Sequence, residues 1–387
     1  MEFIFLGTGT SAGLPYIDCI TAPLEREACK TCLERIDSGR ETEHEEKYLG
    51  CRANAYQGGT IVIDAGKTFQ ASALEWFPKY RLREIDAILI THSHADALNG
   101  LDDLRSWTLY GLIQSHIDIY LSQETFDAVK TSFPYLVLKE CASGGGDVPE
   151  FKWHVISDRI PFEINDTGIH VTPFSVHHGF CPSNSLARDH LHRSPSFPLL
   201  LDEVPSQVLE QRKPFLSFGF KISNQLVYIS DASHIPEESW NVISPKTSGH
   251  IPVCVLDCLQ LEPHTSHFRL AQSVSVARRI CATRTYLTGF CHAATHEEYV
   301  SMGEIVGGAL KGQGEMAALN AKGFSVEKGD VIWIRPAHDG LRVTVDDGVV
   351  WDETYLNQSF QGKVNWRGWH PYFKNSSSWK RFATMLF

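Results

Sequence analysis

The chain has 387 residues, 43% of them hydrophobic, enough to bury a large core in one α/β domain or in two smaller ones. Its formal net charge of −11 argues against a protein that holds long nucleic acid on a broad basic face, so the expected partner is a small or single-ended substrate. No stretch approaches the roughly 18 to 20 apolar residues of a membrane span, and Met1-Glu2-Phe3 runs to Gly7-Thr8-Gly9 without a charged leader. Both features predict a cytoplasmic protein with no membrane partner, nuclear access left open. In such a compartment the ten cysteines read as thiols or metal ligands rather than a disulfide framework.

Along the chain, short apolar, β-branched runs end repeatedly at a polar or glycine residue: 3–6, 60–63, 87–90, 117–121, 170–176, 226–229, 253–256 and 285–287. These read as buried strands. Segments 100–111 and 267–279 place apolar residues at three- and four-residue spacing and read as helices. The alternation predicts a layered α/β domain, an αββα sandwich, over residues 1–350. Three segments stand apart. The 140–150 stretch, with Gly144-Gly145-Gly146, reads as a surface loop. The 179–214 stretch reads either as a lid over a site or as a surface excursion. The 351–387 extension carries Trp351, Trp366, Trp369, Tyr372, Phe373 and Trp379 and is expected to pack on the domain or on a second subunit, a homodimer being one such assembly.

The most informative segment is Leu89-Ile90-Thr91-His92-Ser93-His94-Ala95-Asp96-Ala97, where a buried strand empties into two imidazoles and a carboxylate at alternate positions. Neutral imidazoles and carboxylates are ligands for zinc, manganese and iron. Other strand runs end in suitable residues too: 61–63 at Asp64, 171–176 at His177-His178-Gly179, and 226–230 at Asp231. Open α/β layers gather function at the carboxyl ends of their strands, so these residues are expected to share one rim.

The chain resembles the metallo-β-lactamase superfamily, whose first motif is His-x-His-x-Asp-His, and within it the branch of the phosphoribosyl cyclic phosphodiesterase of phosphonate breakdown. The matching features are Gly7-Thr8-Gly9-Thr10-Ser11, Asp64-Ala65-Gly66, Thr91 to Asp96, Gly100-Leu101 with Leu104-Arg105, His178, Ser230-Asp231 and Leu287-Thr288, in the family's order over about the first 300 residues. The resemblance implies a metallo-β-lactamase-like fold. It further implies that His92, His94 and His178 bind a first metal, with His177 the alternative third ligand, that Asp231 bridges toward a second, and that Asp64 orients a ligand histidine. Two positions depart from the pattern. The histidine after the aspartate is Ala97, and the later Leu-Thr-His histidine is Gly289. Both losses fall on the second metal, which predicts one firmly held catalytic divalent metal, zinc or manganese, with Asp96 left to orient or deprotonate the attacking water.

A second site is expected at the N-terminus. Cys29-Lys30-Thr31-Cys32 has the two-residue spacing zinc favours, and Cys19 adds a third thiolate. The resemblance supplies His292 as fourth ligand of a structural zinc, with Cys291 and His296 as substitutes.

Hydrolysis follows from a metal with an open position. Arg105 could grip two phosphate oxygens or simply pair with Asp102 or Asp103 on a helix surface. His267 aligns with a family position that acts as general acid for the leaving oxygen, and His264 is close enough to be mistaken for it. The expectation is a phosphodiesterase on a small or cyclic phosphodiester. The alternatives are a thioester or lactone hydrolase of the same fold and a retired enzyme kept as a metal-stabilised binding protein.

Overall fold

The computed structural model describes residues 1–21, 29–37, 48–52, 59–142, 147–181, 213–243 and 250–353. In chain order its strands are β1 (Glu2–Gly7), β2 (Tyr48–Arg52), β3 (Thr60–Ile63), β4 (Ala87–Leu89), β5 (Ile117–Leu121), β6 (Phe151–Val155), β7 (Phe162–Glu163) and β8 (His170–Phe180). Then come β9 (Pro214–Ile222), β10 (Leu226–Ile229), β11 (Val253–Asp257), β12 (Arg284–Thr288), β13 (Ile334–Pro336), β14 (Arg342–Asp346) and β15 (Val349–Asp352). They build two sheets, one ordered β15-β14-β1-β2-β3-β4-β5-β6 and the other β13-β12-β11-β10-β9-β8-β7. Met1–Trp351 form one compact unit, and a second runs Asp352–Phe387. Residues 354–387, which hold most of the aromatic extension, lie outside the described residues.

β1, β3, β4, β10 and β11 are apolar on both faces, because each face has a layer to pack against. Phe3 and Phe5 of β1 meet Phe220, Tyr228, Val255 and Tyr286 of the second sheet in the core between the sheets. Ile4 and Leu6, the alternate residues, pack outward with Phe69, Trp76 and Phe77 of the helix Phe69–Tyr80. In β10 and β11 the same alternation turns Leu226, Tyr228, Val253 and Val255 inward. It turns Val227, Ile229, Cys254 and Leu256 toward Leu270, Val274 and Ala277 of the helix Leu270–Ile280. Two-sided burial explains why these strands read as continuous apolar runs instead of alternating ones. The layered αββα arrangement follows from it.

Strand direction then decides where the polar residues collect. β3, β4 and β5 are mutually parallel, as are β10, β11 and β12. β8 and β10 are both antiparallel to β9, so they also run the same way as each other. The carboxyl ends of β8, β10, β11 and β12 therefore line one edge of their sheet. Phe218 N–H, on β9, donates to the carbonyl of Thr91, just past β4, at 2.8 Å and ties the two sheets together at the rim.

Two expected elements differ from the sequence reading. Over 100–111 the chain forms three short turns, Asp102–Leu104, Arg105–Thr108 and Leu109–Gly111, the last broken at Tyr110 with φ 55°. Leu101, Leu104 and Trp107 still reach the core, so the apolar spacing is satisfied turn by turn without a continuous helix. The second expected helix begins at Leu270, not at 267. Gln260 and Arg269 form a β-bridge, with Leu259 N–H donating to Phe268 O and Leu270 N–H to Gln260 O, both at 3.0 Å, and this keeps 268–269 extended. His267 consequently sits in a loop pinned at its base. The 179–214 stretch joins the antiparallel neighbours β8 and β9, and its residues 182–212 lie outside the described residues, as do 143–146 of the 140–150 loop.

Candidate metal centre

The rim gathers Asp64 after β3, His92, His94 and Asp96 after β4, His178 near the end of β8, and Asp231 after β10. Ligand atoms of His92, His94 and His178 lie within 4.8 Å of one another, as do those of His92, Asp96 and Asp231 and those of His178, Asp231 and His267. Asp231, 3% exposed, is thus shared between two neighbouring sets. His177 faces the other way. Its ring lies 5.2 Å from that of His234, and its backbone pairs with the same residue. The alternation of side chains along β8 permits only one of the two histidines to enter the cluster, and it is His178.

Hydrogen bonds fix which nitrogens point inward. His178 Nδ1 lies 2.8 Å from the carbonyl oxygen of Ser266, so it carries the proton and Nε2 keeps its lone pair. That Nε2 faces His94 Nδ1 at 3.2 Å. Two imidazole nitrogens on a tetrahedral zinc, each at about 2.0 Å from the ion, would be about 3.3 Å apart. Gly179 makes the Ser266 contact possible, since its φ is +75° and a Cβ there would come within 3.0 Å of Ser266 Cβ. Phe215 lies flat on the His94 ring, centroids 4.6 Å apart and 5° between planes, and forms one wall.

Asp64 reaches His92 indirectly. It adopts a left-handed conformation, φ 63°, that aspartate tolerates better than most residues. Thr91 N–H donates to Asp64 Oδ1 at 2.8 Å, and the Thr91 hydroxyl lies 2.9 and 3.0 Å from the two Asp64 oxygens. The same hydroxyl oxygen sits 2.8 Å from His92 Nδ1. With its own proton given to the carboxylate, the hydroxyl accepts from the ring, which leaves the His92 Nε2 lone pair for a metal. Burial, then the nearby Asp231 and Asp96 carboxylates, push Asp64 well above the usual carboxylate range, against the Thr91 hydrogen bonds. Asp96 and Asp231, beside inward-facing histidine lone pairs, form a donor set that a divalent cation neutralises. Thr91→Val should therefore weaken metal binding by about 10- to 100-fold, the usual cost of losing an orienting partner. Competition titration with a chromogenic chelator measures this, and unchanged affinity would refute the relay.

Residues 59–290 match the family model described as the β-lactamase superfamily domain. The chain belongs to this superfamily. Two solved structures share the fold. One is a diphosphatase of the PhnP family, with TM-score 0.58 and 23% identity, covering 89% of this chain and 98% of that one. The other is zinc-bound PqqB of Methylobacterium extorquens, with TM-score 0.54 and 17% identity, covering 89% and 100%. Over 182 residues, 47% of the chain, the sequence is 27% identical to an octanoyltransferase of Porphyromonas gingivalis (strain ATCC BAA-308 / W83). The chain spans 32% of the length of that curated relative.

As a β-lactamase superfamily centre the site has unusual gaps. Ala97 is 1% exposed, and its carbonyl accepts from Ala65 N–H at 2.7 Å. Gly289 has φ +89°, and its N–H donates to Thr8 O at 2.8 Å. Neither offers a donor atom where the resembled pattern has histidine, and Gly289 occupies backbone space that an L side chain resists. What remains on that side are Asp96, Asp231 and, added by the fold, His267.

His267 Nδ1 lies 2.9 Å from Asp257 Oδ2 and 3.9 Å from Asp231 Oδ1, and its ring is 4.7 Å from that of His178. Asp257 closes β11 and is fully buried. It follows the apolar run 253–256 as Asp64 and Asp231 follow theirs, so the strand-end rule marks it too. Ser266 and Phe215 carried no sequence signal, because a backbone carbonyl and a lone aromatic look like any others. Asp102 holds Arg105, through both its carboxylate and its backbone carbonyl, with Tyr135 alongside. Both charges of the pair are about a third exposed, and its described contacts involve no residue of the centre. Of the two readings of Arg105, the structure shows the helix-surface pairing with Asp102.

At the N-terminus Cys19, Cys29, Cys32 and His292 converge, with ligand atoms within 4.8 Å. Their Sγ atoms lie 3.4, 3.5 and 3.6 Å from His292 Nδ1. Zn–S near 2.3 Å and Zn–N near 2.0 Å at a tetrahedral angle give an S···N edge of about 3.5 Å, so this set fits zinc. Tyr16 stacks on the His292 ring at 3.9 Å. Cys291 instead lies 3.7 Å from Gln260 Oε1, and His296 has its ring 6.0 Å from that of His338. Neither substitute belongs to the cluster.

Proposed function

We infer that the chain is a metal-dependent hydrolase of small phosphodiesters, cyclic ones included. The supporting observation is His267: a histidine anchored through Nδ1 to a buried carboxylate, with its ring beside the cluster that would hold the metal. An alkoxide leaving group needs a proton, whereas a thiolate, whose conjugate acid has a pKa of about 8.5, departs without one. A histidine so placed therefore favours cleavage of a P–O bond over hydrolysis of a thioester. That a like fold carries a diphosphatase is in keeping with this reading.

His92, His94, His178 and Asp231 would hold the metal, which supplies Lewis-acid polarisation of the phosphoryl group and of water. Asp96, 12% exposed and near His92 and Asp231, takes the proton of the attacking water as its oxygen bonds to phosphorus. His267 gives its Nε2 proton to the leaving oxygen as the other P–O bond breaks, and the two groups reset through solvent. Phe215 keeps water from the His94 side. With Arg105 held by Asp102, substrate phosphate is bound by the centre itself.

The test is turnover by metal-replete protein on alkyl, aryl and cyclic phosphodiesters beside a thioester and a lactone. Phosphodiester hydrolysis is expected. Turnover of the thioester or lactone with none of the diesters would overturn the proposal. Arg105→Ala should change phosphodiester kcat/KM by less than about five-fold, in line with the ~1 kcal/mol ceiling of an exposed ion pair.

A further inference from the structure

A centre built on Asp96, Asp231 and neutral imidazoles has no positive charge to spare, because two carboxylates balance one divalent cation. A phosphodiester brings a negative charge of its own. The Arg105 guanidinium is paired with Asp102. Lys67, by contrast, places a cation between the two gaps at Ala97 and Gly289. It lies in the turn after β3, three residues past Asp64. β1 and β3 are both antiparallel to β2, so the loops that follow them emerge on the same edge. The turn is clasped to the metal loop: Ala65 N–H donates to Ala97 O at 2.7 Å and Gly100 N–H to Ala65 O at 2.9 Å. A Cβ on Gly100 would come within 2.1 Å of Gly66 O, which shows how closely the two segments pack. Lys67 is exposed, yet its ammonium has a fixed place, with Nζ donating to Ser11 O at 2.6 Å. Ser11 belongs to the loop after β1, where Thr10 N–H donates to Phe290 O at 3.1 Å and Thr8 O accepts from Gly289 N–H at 2.8 Å. The ammonium therefore bridges the segment bonded to Ala97 and the segment bonded to Gly289. Lys67 is two residues from Ala65, a stretch that spans at most about 7 Å.

We propose that Lys67 is a substrate-binding residue: its ammonium binds a non-bridging oxygen of the phosphate on the side of Ala97 and Gly289, and so selects anionic diesters over neutral esters and lactones. The proposal rests on the hydrolase reading above. To the centre's own hold on the phosphate it adds a cation supplied by the protein, where neither Ala97 nor Gly289 offers a donor for a further metal. A lysine suits the task because it is a compact point charge with three N–H donors, which lets one group serve both a backbone carbonyl and a phosphate oxygen. No bond to Lys67 is made or broken.

Lys67→Met keeps the length of the side chain and removes the charge, and Lys67→Arg keeps the charge. Both are compared with wild-type protein on methyl p-nitrophenyl phosphate and in the inhibition of that turnover by inorganic phosphate, with metal content and melting temperature measured alongside. Lys67→Met should lower kcat/KM by about 10- to 100-fold and raise the inhibition constant of phosphate by about 10-fold, the usual worth of a charge-assisted hydrogen bond. Metal content and melting temperature should hold, and Lys67→Arg should recover most of both losses. Wild-type behaviour in Lys67→Met would overturn the proposal. So would an equal loss in Lys67→Arg, or a loss that follows metal content or melting temperature, since either would reduce Lys67 to a latch on Ser11. Should the variants fail to fold, acetylation of wild-type lysines by an N-hydroxysuccinimide ester, read by mass spectrometry, decides. Saturating inorganic phosphate should slow modification of Lys67 by about five-fold or more, as mass action requires of an occupied site, and leave Lys79, which lies over the Trp76 ring, unchanged. Equal rates at Lys67 with and without phosphate would overturn the proposal. Failure of the wild-type protein on every diester would instead count against the hydrolase reading, while phosphate protection still reports on Lys67 by itself.

Discussion

Cys32→Ser is expected to release one zinc per chain and to lower the melting temperature by about 8 °C, a loss of about 4 kcal/mol at roughly 2 °C per kcal/mol for a large domain. Three separate pieces of chain meet at this site: Cys19 on the helix Ile17–Ile20, Cys29 and Cys32 at the start of the helix Lys30–Asp37, and His292 in the turn after β12. Cys32 and His292 are 260 residues apart. Backbone bonds from Thr10 N–H to Phe290 O at 3.1 Å and from Gly289 N–H to Thr8 O at 2.8 Å also join the N-terminal loop to this turn. Burial first, then the neighbouring cysteines, push the Cys32 thiol up to about 12, so without a cation it stays protonated and contributes no charge to hold the cluster. Metal analysis with a thermal scan reads both effects. A variant that keeps its zinc and its melting temperature would show that the site is not structural.

The second large effect separates two adjacent histidines. His178→Ala should lower phosphodiester kcat/KM by at least about 10³-fold, beyond the 10- to 100-fold that the loss of a mere orienting partner costs. It should also cost one metal per chain while the cysteine-bound zinc stays. His177→Ala, which removes only a ring facing His234, should stay within about three-fold of wild type on the same substrate. A larger loss for His177→Ala than for His178→Ala would reverse the assignment of the third ligand.

Much of this molecule is legible in its sequence, for a reason that also explains the omissions. The central strands are buried on both faces, so 60–63, 117–121 and 226–229 announce themselves as apolar runs, and the structure gives them these bounds. Strands at the sheet edges or beside the rim do not. β6 is half exposed and reads Phe-Lys-Trp-His-Val, and β9 mixes Ser217, Gly219 and Lys221 among its aromatics. Residues such as His92, His94 and Asp96 stand out because three ligand types fall in one short word. Thr91 and Ser266 act one atom further back, through a hydroxyl and a carbonyl that composition does not distinguish from ordinary surface groups. Arg105 shows the converse. Its position beside the metal motif is legible, but the aspartate three residues earlier that engages it becomes decisive only once the chain turns at 102–104.

β1 lies inside its sheet, with β2 on one side and β14 on the other, Glu2 opposite both Arg52 and Thr344. Across the β14 side, Met1 and Val345 are joined although 344 residues separate them. At about 5–20 residues per second a ribosome needs roughly 17–70 s to deliver the second partner after the first. During that interval Phe3 and Phe5 have no completed inter-sheet core to enter, and one edge of β1 waits unpaired. For this chain, exposure to aggregation and to chaperones is therefore expected to peak late in synthesis and to end only when β14 emerges.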